Sequence, residues 1–282
     1  MQLSFEFFPP KTDTGLENLI HVADTLSSFQ PEYFSVTYGA GGSAQTQTMN
    51  TVNQLRLQTS QKIVPHISCV GATKNSISAL LNDYQKMQIK KLVVLRGDAT
   101  EIHTVNEFPY ATDLIYFIRE TTGAYFNIDV AVYPECHPQS SNLNNDLLYF
   151  KKKVEAGANG AITQYFYDAN AYDYLLENCA RLQINIPIVP GIMPITNVAQ
   201  LQRFSALCGA ELPKWLRNQL DSFGSDETAI TQFGVDLIAK LCEQLKRLGA
   251  PGLHFYTLNK AQACIKILEH QLLLHSHVRA AD

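Results

Sequence analysis

The stretch SFEFFPP, Ser4 to Pro10, alternates as a strand does and then stops. Leu3, Phe5 and Phe7 fall on one face and Ser4, Glu6 and Phe8 on the other, while Pro9-Pro10 cannot continue a ladder of backbone hydrogen bonds. Glu6 therefore stands near the C-terminal end of a first strand. An acid there has two readings: a rim carboxylate in water, or a carboxyl held in an apolar pocket for proton transfer.

Similar runs recur roughly every 30 residues, the spacing of a strand plus a helix. They are YFSVTY (33–38), IVPHISC (63–69), KLVVLRG (91–97), NIDVAVYP (127–134), GAITQYFY (160–167), IPIVPGIMP (186–194) and GLHFYTLN (252–259), eight with the first. Between them apolar residues repeat at three- and four-residue steps, as in Leu16, Leu19, Ile20, Ala23, Leu26 and in Leu143, Leu147, Phe150, Val154. Glycine ends helices in EAGANG (155–160) and RLGAPG (247–252). Eight strands alternating with helices, with no Pro/Ser-rich linker, predict an α/β fold: one closed (β/α)8 TIM barrel over residues 1–274. Patterning around PKWLRNQL and from Thr228 to Leu248 predicts extra helices between strands seven and eight. The last residues, 275–282, read as a frayed tail.

With 22 basic and 26 acidic residues among 282, the net charge of −4 is spread along the chain. No basic stripe points to nucleic acid and no apolar run is long enough for a membrane span, so small-molecule partners are expected. Six scattered cysteines with no CxxC pair and no signal-peptide pattern read as reduced, structural thiols in a cytoplasmic protein.

In such a barrel the chemistry sits at the C-terminal ends of the strands. Those ends carry Glu6; Thr37 and Tyr38; His66; Arg96, Gly97 and Asp98; Tyr133, Glu135 and His137; Gln164; and Asn259 and Lys260. GAGGSA (39–44) fits a dinucleotide fingerprint, but the acid that should follow about 20 residues on is missing, since no Asp or Glu occurs between Glu32 and Asp83. The loop is read as backbone close to a ligand. The first strand offers a glutamate and no H-x-H to suggest a metal site, the two histidines of the tail read as solvated, and no lysine near a strand's C-terminal end within strands one to seven suggests Schiff-base chemistry. Lys151-Lys152-Lys153 is either a solvated helix face or a phosphate contact. Arg96 and Asp98 in LRGD are either a self-neutralising pair or an orienting pair for a polar heterocycle.

SFEFFPPK, SVTYGAGGS, PHISC, LRGD, AVYPECHP, GANGAITQYFYD, VPGIMPITN and HFYTLNKA together resemble, in order and over nearly the whole chain, the methylenetetrahydrofolate reductases of bacterial type. The resemblance implies an FAD-carrying barrel that reduces 5,10-methylenetetrahydrofolate to 5-methyltetrahydrofolate in one-carbon metabolism, on the route to methionine. NADH or NADPH would give hydride to FAD and leave before the folate enters. It implies Glu6 as general acid and Asp98 beside flavin and pterin. The implied flavin neighbours are Thr37, Tyr38, Ala40, His66, Arg96 and Gly97, then Tyr133, His137, Asp146, Lys152 and Lys153. Gln164 would contact the folate, and Gln200 and Phe204 would meet the nicotinamide and the folate. Lys260 stands where relatives carry arginine, which trades a bidentate contact for a point charge, and Tyr149 stands where a relative has an amide. A homo-oligomer is implied, and control by S-adenosylmethionine is not.

On this resemblance Glu6 is expected to sit protonated among phenylalanines. The rival readings are another flavin barrel of the proline dehydrogenase type and a non-catalytic folate-binding barrel.

Overall fold

The computed structural model describes residues 1–38, 42–97 and 107–279. Strand β1 (Gln2–Phe7) pairs in parallel with β2 (Tyr33–Val36) on one side and β9 (Gly252–Tyr256) on the other. From β2 the ladder continues through β3 (Lys62–Ser68), β4 (Lys91–Leu95), β5 (Asn127–Val132) and β6 (Gly160–Thr163), all parallel.

The segment expected as strand seven is divided at Pro190. Its first part, β7 (Ile188–Val189), pairs with β6, and its second, β8 (Gly191–Ile192), pairs with β9. Proline offers no N–H, which ends β7. Its carbonyl still accepts from the backbone N–H of His254 at 3.0 Å, so the ladder passes across the break and the ring closes. Nine strand segments thus fill the eight positions of a barrel.

Helices α1 (Asp13–Ser27), α2 (Gly42–Gln58), α3 (Lys74–Lys86), α4 (Ala111–Thr122), α5 (Leu143–Glu155) and α6 (Ala169–Arg181) alternate with the strands. The extra helices expected around PKWLRNQL and from Thr228 to Leu248 are α8 (Lys214–Ser222) and the long α9 (Glu227–Arg247), and a further helix, α7 (Val198–Cys208), precedes them. After β9, α10 (Gln262–Arg279) packs beside α9. Its backbone stays helical to Arg279, so residues 275–279 of the tail expected to fray continue the helix instead.

Period-two alternation decides what each face of the wall does. Phe5, Phe7, Phe34 and Phe255 are at most 1% exposed and pack together between strands and helices, with ring centroids 5.3–6.2 Å apart. Burying each contributes about 1.5–3 kcal/mol. The opposite face looks into the barrel, where Tyr33, Val64, Val93 and Ile162 form a separate packed layer with Leu95 against it.

Helix α5 is pinned at both ends. Asn142 caps its start by accepting from the Asn145 N–H, and Gly157, at φ +115°, turns the chain out of it. Arg119 donates to the Gly157 carbonyl at 2.6 and 3.1 Å and to that of Phe126 at 2.7 Å. A Cβ on Gly157 would come within 2.8 Å of the Arg119 Nε, so only glycine fits both the turn and the guanidinium.

Candidate active site

The C-terminal strand ends surround a cleft of about 490 Å³. Val93, Leu95, Ala131 and Ile162 give it an apolar floor, and Glu6, Thr37, Tyr38, His66, Tyr133 and Gln164 bring polar groups from successive strands. Helix α7 forms one wall. Tyr165 after β6 hydrogen-bonds the Ser205 hydroxyl at 3.1 Å and accepts from the Cys208 thiol at 3.3 Å, which holds Phe204 and Leu207 against the cleft.

Glu6 is fixed through both its backbone and its side chain. Its carbonyl accepts from the Thr257 hydroxyl at 2.6 Å. Two residues on, Phe8 is clamped by Asn259, whose side-chain amide accepts from the Phe8 N–H at 3.0 Å and donates to its carbonyl at 2.9 Å. Leu258 and Asn259 adopt positive φ of 50° and 56° to make this turn, a conformation asparagine tolerates better than most side chains. The carboxylate Oε2 lies 3.2 Å from His254 Nε2 and 3.4 Å from His66 Nε2.

This surrounding overturns one expectation. Phe5 and Phe7 turn to the helices, and Phe8 is 45% exposed, so the neighbours of the carboxyl are two imidazoles rather than phenylalanines. Burial pulls the Glu6 carboxyl up, but the positive charge His66 can carry and the hydrogen bond and charge of His254 outweigh it, and the group sits below its ordinary value. Burial in turn pushes His66 down to about 4, against the pull of Glu6. Without a ligand Glu6 is a carboxylate.

The other expected residues divide. Burial raises the Tyr38 phenol. Arg96 turns to the Gln139 side chain and to the Gly97 carbonyl, and Gly97 sits at φ +79°. Tyr133 and His137 meet edge to face with centroids 4.6 Å apart, and Asp146 accepts from the His137 N–H at 2.9 Å, so it shapes the loop after β5.

The three lysines separate: Lys151 lies 3.9 Å from Glu155, Lys152 lies over the exposed Tyr149 ring, and Lys153 reaches the strand wall and donates to the Ala131 carbonyl at 2.5 Å. Gln200 lies in the first turn of α7, where its N–H is capped by Asn197, and Lys260 is exposed; neither lines the cleft. Ala40 and Asp98 lie outside the described residues.

The structure adds His254 and Tyr256, which strand-end counting passes over. In GLHFY the alternation places them together, opposite Leu253 and Phe255, so the signal is present. Tyr256 donates to the Thr163 carbonyl at 2.7 Å. All six cysteines are free, and burial pushes the thiols of Cys179 and Cys69 up to about 11 and 12, which suits packing rather than reactivity. Among the described residues, no helix is long and apolar enough to cross a membrane.

A closed parallel barrel whose C-terminal mouth opens on an apolar cleft with a carboxylate held between imidazoles has the layout of an enzyme. The chain belongs to the methylenetetrahydrofolate reductase family of oxidoreductases: the model described as "Methylenetetrahydrofolate reductase" matches residues 1–272.

Curated relatives are similar over most of the chain. The 5,10-methylenetetrahydrofolate reductase of Buchnera aphidicola subsp. Acyrthosiphon pisum is 39% identical, covering 95% of this chain and 90% of the relative. That of Escherichia coli K12 is 36% identical over 93% and 88%. A methylenetetrahydrofolate reductase (NADH) 1 of Zea mays is 34% identical over 94% of this chain and 47% of its own length. Among solved structures, a Clostridium thermocellum protein described as binding two copies of 5-methyl-5,6,7,8-tetrahydrofolic acid shares the fold, with a TM-score of 0.61, 12% identity and coverage of 95% and 93%.

Proposed function

We propose that this chain reduces 5,10-methylenetetrahydrofolate to 5-methyltetrahydrofolate with NADH or NADPH, through an FAD held in the cleft, the nicotinamide and the folate using one face in turn. The observation that carries this reading is Glu6 at the mouth of a barrel matched to the family along almost its full length.

The residues present suit a flat polar heterocycle. His66 is only 3% exposed at the cleft, yet neither ring nitrogen has a hydrogen-bond partner, a costly state unless something fills the cleft. The aliphatic floor offers a face for a ring system. Thr37, Tyr38, His66 and Tyr133 would hold the ring, and Arg96 and Lys153 would meet its phosphates. Bound FAD would supply the hydride relay between nicotinamide and folate.

Glu6 would give its proton to the nitrogen that leaves the methylene bridge, which opens the bridge to the iminium that accepts hydride. Filling the cleft removes water from around Glu6 and raises its proton affinity, so a carboxylate at rest becomes an acid in the complex. Gln164, already ordered by accepting from the Tyr165 N–H at 3.0 Å, and Phe204 would orient the pterin.

Lys153 gives a pH test. Burial, with Arg96 adding to it and Asp146 opposing, pulls this amine down to about 8, so it loses its charge as pH rises through that value. A charged hydrogen bond of about 1.5–3 kcal/mol would then be lost, and FAD affinity is expected to fall about tenfold between pH 7 and 9.5. Lys153→Met should bind FAD more weakly with a flat profile, measured by quenching of flavin fluorescence. A flat profile in the unmodified protein would remove Lys153 from the cofactor site.

The function itself is tested by an anaerobic visible spectrum of the purified protein with FAD. A flavin band that bleaches with NADH or NADPH and returns with methylenetetrahydrofolate is expected. A protein that takes up no flavin, or returns colour with proline-type substrates only, would overturn the reading.

A further inference from the structure

Each reduction of this kind takes up one proton, and Glu6 begins as a carboxylate facing a cleft that cofactor and substrate would fill. The barrel has a second cavity at its opposite, N-terminal mouth, about 180 Å³ in volume and bordered by Ser4, Glu32, Tyr33, Lys91 and Asp129. Between the two lies His254, with no exposed surface. Its Nε2 is 3.2 Å from the Glu6 carboxylate and its Nδ1 is 2.7 Å from the Ser4 hydroxyl. Ser4 borders that cavity, as Tyr33 does.

We propose that His254 and Ser4 form a proton relay that reprotonates Glu6 from the N-terminal mouth of the barrel, through the wall rather than through the cleft. The inference rests on the reductase reading for the use of the proton, and on geometry alone for the path.

The hydrogens order themselves in one direction. A carboxylate has no hydrogen to give, so Nε2–H donates to Glu6; in the neutral imidazole Nδ1 then accepts from Ser4, whose oxygen is free to accept from a water in the N-terminal cavity. Delivery breaks the Nε2–H bond as the Oε2–H bond forms, breaks Ser4 O–H as Nδ1–H forms, and breaks an O–H of a water at the mouth as a new Ser4 O–H forms. That water is left as hydroxide, which passes to the bulk buffer. The net change is one proton moved to Glu6, with no change of oxidation state. The imidazole is left as its Nδ1–H tautomer, and its return sets the interval before the next delivery.

The neighbours support this direction. Burial and Asp129 keep the Tyr33 phenol protonated, so it brings a further hydrogen to the mouth. Lys91 lies 2.8 Å from Asp129 and over the Tyr33 ring at 4.5 Å, which places exchangeable protons at the mouth. His66, the other imidazole at Glu6, has no partner beyond it, and Tyr256 donates to the Thr163 carbonyl. Only the His254 branch leads from Glu6 to the far mouth among the described residues.

Ser4→Ala cuts the relay two bonds away from Glu6 and leaves the cleft untouched; it is a positioning change, so two readouts are needed. In stopped-flow, oxidation of the NADH-reduced holoenzyme by methylenetetrahydrofolate should slow about tenfold, at the low end of what loss of a proton donor costs, with a larger solvent deuterium isotope effect. Reduction by NADH should be unchanged. In 15N-imidazole NMR of the full chain, which needs no reaction, solvent exchange of the His254 ring N–H should slow by a similar factor.

Ser4→Cys, close in size and a weaker donor, should change both in the same sense and less, and it carries the test if Ser4→Ala does not fold. Unchanged exchange and an unchanged isotope effect would overturn the relay, as would equal loss in both half-reactions. Slowed exchange in a chain that passes no hydride to the folate would overturn the reductase reading and leave the proton path standing.

Discussion

Glu6→Gln is expected to leave reduction of the bound flavin by NADH nearly intact, while reduction of methylenetetrahydrofolate falls by ~10²-fold or more. The amide matches the carboxylate in size, so the cleft keeps its shape and the backbone bond from Thr257 to residue 6 is undisturbed. The amide oxygen can still accept from His254, but no proton can be passed on from it. The change therefore falls on the half-reaction that opens the methylene bridge. Stopped-flow measurement of the two half-reactions separately checks this, and equal loss in both would show that residue 6 holds structure rather than a proton.

Gly191→Ala carries the largest expected loss of stability. At this point β8 takes over from β7, the Gly191 N–H donates to the Thr163 hydroxyl at 2.9 Å, and a Cβ would run into the Thr163 carbonyl and come within 2.6 Å of the Tyr256 ring. Neither neighbour can yield, since the first is backbone and the second is held by its own bond to that carbonyl. Overpacking of this kind is expected to cost about 3 kcal/mol, a fall in Tm of roughly 6–12 °C. Gly249→Ala is the comparison: its φ is +82° but nothing lies within 4 Å, so it should cost only about 1 kcal/mol from backbone strain. Thermal unfolding of the two variants decides the matter, and equal losses would mean that the barrel seam is not tightly packed.

The eight strand positions were legible because β-branched and aromatic runs at regular spacing leave few alternatives, and Pro9-Pro10 fixed where β1 ends. The break at Pro190 was less so, because a proline inside an apolar run removes a donor while leaving an acceptor, and only the partner strands decide whether the ladder survives. Glu6 could be placed at the mouth from alternation alone. Its neighbours could not, since they come from β3 and β9, and the register that sets Ser4 beside His254 and Glu6 beside Tyr256 joins residues about 250 positions apart. That is why a pocket of phenylalanines was expected and a pair of imidazoles was found. The lysine triplet shows a middle case. Helical geometry allows only one of three consecutive side chains to turn to the strands, and the flanking Phe150 and Val154 favour Lys153, but a carbonyl acceptor on β5 is visible only in three dimensions.

The seam between β9 and β1 ties the first strand of the barrel to the last. Glu6 gains His254, Thr257 and the Asn259 clamp only when the two ends of the chain have met, and a contact of that sequence separation forms late and slowly. A chain still missing its final strand would carry its acid in an open, wet cleft. The onset of catalysis in refolding protein would then mark the moment the ring is sealed, and could serve as a clock for it.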